Sequence, residues 1–110
     1  MTPSSDTDIT NMQARHIIVS GKVQGVSYRA WTVMTARKQG IKGWVRNLAN
    51  GDVEIMAYGG NAALDQFIDT LYDGSAAADV AHVKARRVEF DPEDVCDFQQ
   101  VATADQPVKS

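Results

Sequence analysis

Apolar residues recur along this chain with two different periods, which separate strands from helices. Apolar and polar residues alternate over Val53–Tyr58, which predicts a strand with one buried face. A β-branched cluster inside Ala14–Ser20 predicts another strand. A helical period follows Gly60, where apolar residues fall at i, i+3, i+4 and i+7: Leu64, Phe67, Ile68 and Leu71.

Glycine and asparagine residues mark where the first elements end. Gly40 predicts the end of a helix over Tyr28–Gln39. A second strand over Ile41–Leu48 is followed by Asn50-Gly51, a pair that favours a type I′ hairpin turn with positive φ at both residues. The pattern therefore predicts a β-hairpin directly after the first helix.

The second half of the chain repeats the helix-then-strand order. Asn61 is a candidate N-cap for the second helix, and Gly74 is expected to end it. A fourth strand is predicted over Val80–Phe90, where Asp91-Pro92 stops it. Cys96–Val101 is a candidate fifth strand at a sheet edge.

The predicted order, β-α-β-β-α-β, is that of the ferredoxin-like split βαβ arrangement. We therefore expect an α+β fold with two helices on one face of an antiparallel sheet. Residues 13–102 form the predicted domain. Residues 1–12 and 103–110 are polar and are predicted to be flexible tails.

Composition narrows the classes of function. Apolar residues make up 44% and charged residues 23% of the 110 residues, as in an ordinary globular protein of one domain. The net charge of −3 disfavours a dedicated nucleic-acid binder. The only cysteine, Cys96, permits no internal disulfide, and His16 and His82 lie too far apart in sequence to suggest a metal site. No signal peptide or membrane-spanning run is evident, so the sequence predicts a cytoplasmic protein. A monomer is the expectation for a chain of this size.

The loop Gly21–Arg29 is the first candidate site. It joins a strand to a helix, where backbone N–H groups and the positive helix end favour an anion. Gly25 allows close backbone approach, and the planar guanidinium of Arg29 can hold two phosphate oxygens. From the residues alone, an ordinary structural loop with a nearby arginine stays open as the alternative.

Asn47 is the second candidate, near the end of the strand before the hairpin. Its carboxamide can accept a hydrogen bond from water while it donates to a phosphate oxygen. The alternative is turn chemistry, since asparagine is frequent near hairpin ends.

Both segments resemble motifs of the acylphosphatase family. The first motif reads Gly21-x-Val23-Gln24-Gly25-Val26-x-Tyr28-Arg29, and the second, Gly43-Trp44-Val45-x-Asn47, follows at the spacing usual in that family. The resemblance extends over about Ala14–Val101. It departs from the family in details: Tyr28 stands where Phe is commoner, so its hydroxyl will need a partner if it is buried.

The resemblance implies hydrolysis of the carboxyl–phosphate bond of acyl phosphates, without metal or cofactor. Arg29 is then the catalytic phosphate-binding residue, and Asn47 orients the attacking water. The implied phosphate-binding loop comprises Gln24, Gly25, Val26, Ser27, Tyr28 and Arg29. Inorganic phosphate or sulfate is the expected product-like ligand.

A non-catalytic module that binds an anion or RNA is the competing function. RNA-recognition domains stack bases on aromatic residues of their central strands. Aliphatic residues dominate the corresponding strands here, which argues against base stacking: Ile17, Val19, Val53 and Ile55.

Overall fold

Two helices and a five-stranded sheet make up the part of the chain that the computed structural model describes, residues 11–108. The predicted β-α-β-β-α-β order is confirmed, and a fifth strand follows it. The elements are β1 (Gln13–Lys22), α1 (Tyr28–Lys38), β2 (Lys42–Asn47), β3 (Val53–Gly59), α2 (Asn61–Leu71), β4 (Asp79–Val88) and β5 (Gln99–Gln100).

The strands lie side by side in the order β4-β1-β3-β2-β5. The prediction of an antiparallel sheet is right for the four long strands, but β5 pairs with β2 in the parallel direction. The ferredoxin-like α+β fold is confirmed. Because β5 has only two residues, most of the outer edge of β2 is left for other parts of the chain to pair with.

The core lies between the helices and one face of the sheet. Directly paired residues of neighbouring strands share a face, and the pairs Ile17–Ile55 and Val19–Val53 point towards the helices and are fully buried. Each such side chain contributes about 1.5–3 kcal/mol of hydrophobic stabilisation. From α2 come Leu64, Phe67 and Leu71, as its helical period predicts, whereas Ile68 is only partly buried.

This arrangement removes the argument against RNA binding that was based on aliphatic residues in the central strands. The four aliphatic residues that argue against base stacking in the sequence are covered by the helices, so they say nothing about a ligand on the sheet. The opposite face of the sheet carries the residues that alternate with these four along the strands. His16 and Glu54 are buried there, and Trp44 is half-buried with the Arg46 guanidinium carbon 4.7 Å from its ring centroid.

The hairpin between β2 and β3 is not the predicted type I′ turn. Gly51 has a φ of +100°, but Asn50 does not have a positive φ. The strands end at Asn47 and Val53, so the connection is longer than two residues. It is closed by hydrogen bonds from Leu48 N to Asp52 O (2.9 Å) and from Gly51 N to Leu48 O (3.1 Å).

The helix ends differ from the sequence expectations in detail. Gly60, not Asn61, is the N-cap of α2, and Asn61 is the first helical residue. The Asn61 side chain is engaged elsewhere, because its Oδ1 accepts a 2.6 Å hydrogen bond from Arg15. The second helix ends at Leu71, before Gly74. The first ends at Lys38, and Gly40 follows with a φ of +75°.

The predicted tails lie only partly within the described residues. Residues 1–10 and 109–110 are outside them. At the other end, Ala104 forms a parallel bridge with Leu48, and the Val108 N–H donates to Glu54. Residues 101–108 are thus hydrogen-bonded to the sheet, while the domain limits themselves stay a prediction. No helix within residues 11–108 is long and apolar enough to cross a membrane.

Candidate active site

The loop between β1 and α1 carries a run of consecutive backbone N–H groups. Gly25 has a φ of +72°, and Ser27, the N-cap of α1, has a φ of +63°. Within residues 11–108, the backbone N–H groups from Gln24 to Ala30 donate to no protein acceptor. Consecutive N–H groups in such a turn, at the positive end of a helix, form a concave anion-binding site. We call residues 24–30 the cradle.

The motif glycines have two different structural roles. A Cβ on Gly21 would lie 2.4 Å from the Asp79 carbonyl oxygen, and one on Gly43 would lie 1.8 Å from that of Met56. These two glycines therefore let neighbouring strands approach. A Cβ on Gly25 would meet nothing within 4 Å. Gly25 serves the loop conformation and keeps the space above the cradle open.

Arg29 is a cation in the first turn of α1. It is half-buried, and it makes no ion pair or side-chain hydrogen bond with any residue from 11 to 108. The first turn of α1 contains no acidic residue. A cation there opposes the helix dipole, so a bound anion would relieve an unfavourable charge. Arg29 lines a cleft of about 300 Å³ together with Val23, Gln24, Gly25, Ser27, Tyr28, Ala30 and Gln100.

Asn47 is the last residue of β2 and lies on the helix-facing side of the sheet. It pairs with Val53, which in turn pairs with Val19, and both valines are in the core. The Asn47 Oδ1 is buried and has no hydrogen-bond partner within residues 11–108. Leaving a buried acceptor unpaired costs about 1–3 kcal/mol. This carboxamide is therefore suited to accept a hydrogen bond from a polar ligand.

The structure ties the cradle to the hairpin that carries Asn47. The Gln24 Nε2 donates to the carbonyl oxygens of Leu48 and Asp52, each at 2.8 Å. On the other side, Gln100 lines the Arg29 cleft and pairs with Val45, two residues before Asn47. The two predicted segments are thus joined by two structural links.

Among the other predicted cradle residues, Tyr28 and Val26 are held by hydrogen bonds to residues at and after the end of α2. Tyr28 is buried, and its hydroxyl donates a 2.7 Å hydrogen bond to the Leu71 carbonyl oxygen, so the predicted need for a partner is met. Burial also raises the pKa of Tyr28 well above its ordinary value. The Val26 carbonyl oxygen accepts a 2.6 Å hydrogen bond from the Ser75 hydroxyl. The side chain of Ser27 is exposed.

Sequence reasoning missed Ser75 and Gln100. Both lie far along the chain from the loop: Ser75 bonds to it, and Gln100 lines the same cleft. No local pattern marks them. The side-chain role of Gln24 was missed too, because its partners are backbone carbonyl oxygens that become its neighbours only in the folded sheet.

The fold and the loop define a small α+β protein whose strand–helix turn carries backbone N–H groups suited to an anion. Comparison with known proteins identifies the class further. A family model described as acylphosphatase matches residues 15–100, most of the chain. The chain therefore belongs to the acylphosphatase family, and acylphosphatases are hydrolases that act on acid anhydrides.

Individual relatives agree with this assignment. An acylphosphatase of Haloarcula marismortui is 45% identical over 85 residues, which cover 76% of this chain and 90% of the relative. The structure of an acylphosphatase from Coxiella burnetii superposes with a TM-score of 0.78 at 34% identity, over 84% of this chain and 95% of that one. An acylphosphatase structure from Bacillus subtilis gives 0.75 at 37% identity, over 82% and 98%.

Proposed function

We propose that the cradle and Arg29 bind the phosphoryl group of an acyl phosphate, and that Asn47 orients the water that attacks it. The proposal rests on one juxtaposition. Within residues 11–108, the cradle N–H groups and the Arg29 guanidinium have no protein partner, and the cradle is bonded to a hairpin whose Asn47 Oδ1 is buried and unpaired. The oxygens of a phosphoryl group can accept hydrogen bonds from the cradle N–H groups and from the Arg29 guanidinium. A water molecule can donate a hydrogen bond to the Asn47 Oδ1, which receives none from residues 11–108.

The role of the backbone N–H groups and of Arg29 follows from the negative charge of the phosphoryl group. The backbone N–H groups of Gln24 to Tyr28 and the fork of Arg29 supply donors to the equatorial phosphoryl oxygens, where negative charge is spread in the transition state. Because these donors are held by the fold, they need little reorganisation during the reaction. Inorganic phosphate or sulfate would accept hydrogen bonds from the same donors.

The reaction needs few catalytic groups. The water oxygen forms a bond to phosphorus as the bond from phosphorus to the acyl oxygen breaks, and the carboxylate leaves with that electron pair. The conjugate acid of the carboxylate has a pKa of about 4, so the leaving group requires no general acid. The water proton is transferred to the phosphoryl oxygens, which gives dihydrogen phosphate and the carboxylate. Positioning and charge stabilisation supply most of the catalysis.

The rate of benzoyl phosphate hydrolysis tests this function. We expect the full-length protein with a chelator present to hydrolyse it far faster than buffer does. Arg29→Ala should lose at least about 100-fold in kcat/KM, as expected for a lost transition-state donor. Arg86→Ala, which removes an exposed arginine of β4, is the matched control and should be unchanged. A folded wild-type protein no faster than buffer would show that the cradle only binds anions.

A further inference from the structure

The chain beyond the family match is hydrogen-bonded to the strand that carries Asn47. We call residues 101–108 the C-terminal strap; the family model ends at residue 100. The Val101 N–H donates to the Val45 carbonyl oxygen at 2.9 Å. The Ala104 N–H donates to the Asn47 carbonyl oxygen at 3.0 Å, and the Ala49 N–H donates to the Ala104 carbonyl oxygen at 2.9 Å. The strap thus extends the edge of β2 past the point where β5 ends.

Ala104 holds the peptide groups on both sides of Leu48. Its N–H fixes the carbonyl of Asn47, and its carbonyl fixes the N–H of Ala49. The Leu48 carbonyl oxygen is held by Gln24 from the cradle. The backbone that sets the direction of the Asn47 side chain is therefore restrained by the strap on one side and by the cradle on the other.

The far end of the strap is anchored on a buried carboxylate. The Val108 N–H donates to the Glu54 Oε2 at 2.8 Å, and Glu54 is fully buried. The same carboxylate lies 2.7 Å from the His16 Nε2 and accepts from the Arg46 Nε at 2.7 Å. Arg46 precedes Asn47 in β2 and pairs with Glu54 across the sheet. One end of the strap is thus attached to Val45, two residues before Asn47, and the other to Glu54, the cross-strand partner of the residue before Asn47.

We propose that the C-terminal strap positions Asn47 for catalysis and that Ala104 is its main positioning residue. This inference rests on the proposed function, because it assigns Asn47 the water. Within residues 11–108, the hydrogen bonds of the strap go to β2, to Ala49 and to Glu54 of β3, and none goes to the cradle, so the strap acts on the attack step more than on phosphate binding. Misplacement of a reacting group by about 1 Å can cost a factor of about 100 in rate.

The test combines Ala104→Pro with Asn47→Ala in the full chain. Proline at 104 removes the N–H that bonds to Asn47. Thr103→Pro is the matched control, since the Thr103 N–H donates to no acceptor within residues 11–108. For benzoyl phosphate, we expect Ala104→Pro to lower kcat by about 10- to 100-fold. Inhibition by inorganic phosphate should stay within twofold, which also shows that the site is folded. In the Asn47→Ala background, Ala104→Pro should cause no further loss.

Two results would contradict the proposed role of the strap and leave the proposed function intact. One is a loss by Thr103→Pro equal to that by Ala104→Pro, and the other is the same fold-loss in both backgrounds. Full activity of Asn47→Ala by itself would instead refute the proposed function, and the strap inference with it. If Ala104→Pro does not fold, Ala104→Gly, which keeps the N–H and frees the backbone, is measured in both backgrounds under the same criterion.

Discussion

The Gln24 side-chain amide donates a 2.8 Å hydrogen bond to the carbonyl oxygen of Leu48, the residue that follows Asn47. A second 2.8 Å bond from the same nitrogen reaches the Asp52 carbonyl oxygen at the other end of the hairpin connection. One side chain of the cradle therefore holds both ends of the connection that follows Asn47. If the cradle binds phosphate and Asn47 orients the attacking water, as proposed, the distance between the two depends on this link.

Replacement of Gln24 tests that dependence. We expect Gln24→Ala to lower kcat for benzoyl phosphate by about 10-fold or more, because the hairpin can shift relative to the cradle. Two carbonyl groups lose a donor, so the free energy of unfolding should fall by about 1–2 kcal/mol. Gln66→Ala on the exposed side of α2 is the control, and it should change neither quantity. Unchanged kcat in a folded Gln24→Ala protein would show that the link does not contribute.

The motif glycines should respond differently to alanine. At Gly43, a methyl group would lie 1.8 Å from the Met56 carbonyl oxygen, so Gly43→Ala should be destabilised by several kcal/mol, about 3 or more. At Gly25, the methyl group has room, and only the φ of +72° costs about 1 kcal/mol. Gly25→Ala should stay folded but bind phosphate more weakly. Urea unfolding and phosphate inhibition measure the two effects, and equal destabilisation by both variants would contradict this division.

The buried carboxylate of Glu54 predicts a pH dependence of stability. Burial raises the pKa of Glu54, but hydrogen bonds from His16, the Val108 N–H and Arg46 outweigh burial and hold the pKa below its ordinary value. A depressed folded-state pKa stabilises the protein above the unfolded-state value of about 4.3. That stabilisation is lost as the pH falls through the folded-state pKa.

Glu54→Gln should therefore be less stable than wild type near pH 7, by about 1–3 kcal/mol. The difference should shrink as the pH is lowered from about 5 towards 3. Urea unfolding of both proteins across this range measures it. Glu89→Gln, at an exposed carboxylate, should show no comparable trend. A difference that grows towards low pH would contradict a depressed pKa of Glu54 in the folded protein.

Much of the fold could be predicted because its signals are local. The glycine at 40 and the i, i+3, i+4, i+7 period of α2 each act within a few residues, and both helices are recognisable from them. The prediction of a type I′ turn is wrong because the strand ends, not the Asn50-Gly51 pair alone, set the length of the connection. The prediction of Asn61 as an N-cap is wrong because its partner, Arg15, is distant in sequence.

The site was predictable only where a motif stands in one stretch of chain. Two short motifs point to Arg29 and Asn47, and the roles of these residues stay predictions. The contacts that support them join residues distant in sequence, such as Gln24 with Leu48 and Ala104 with Asn47. Sheet register brings those groups together, and a single sequence does not record that register.

The roles of Asn47 and Arg29 are separated by comparing Asn47→Ala and Arg29→Ala in two quantities, kcat for benzoyl phosphate and inhibition by inorganic phosphate. If Asn47 orients water and Arg29 holds phosphate, Asn47→Ala should lose about 100-fold or more in kcat while phosphate inhibition stays within about threefold. Arg29→Ala should lower kcat and also weaken inhibition by inorganic phosphate. Wild-type kcat in a folded Asn47→Ala protein, or phosphate inhibition unaffected by Arg29→Ala, would contradict the account.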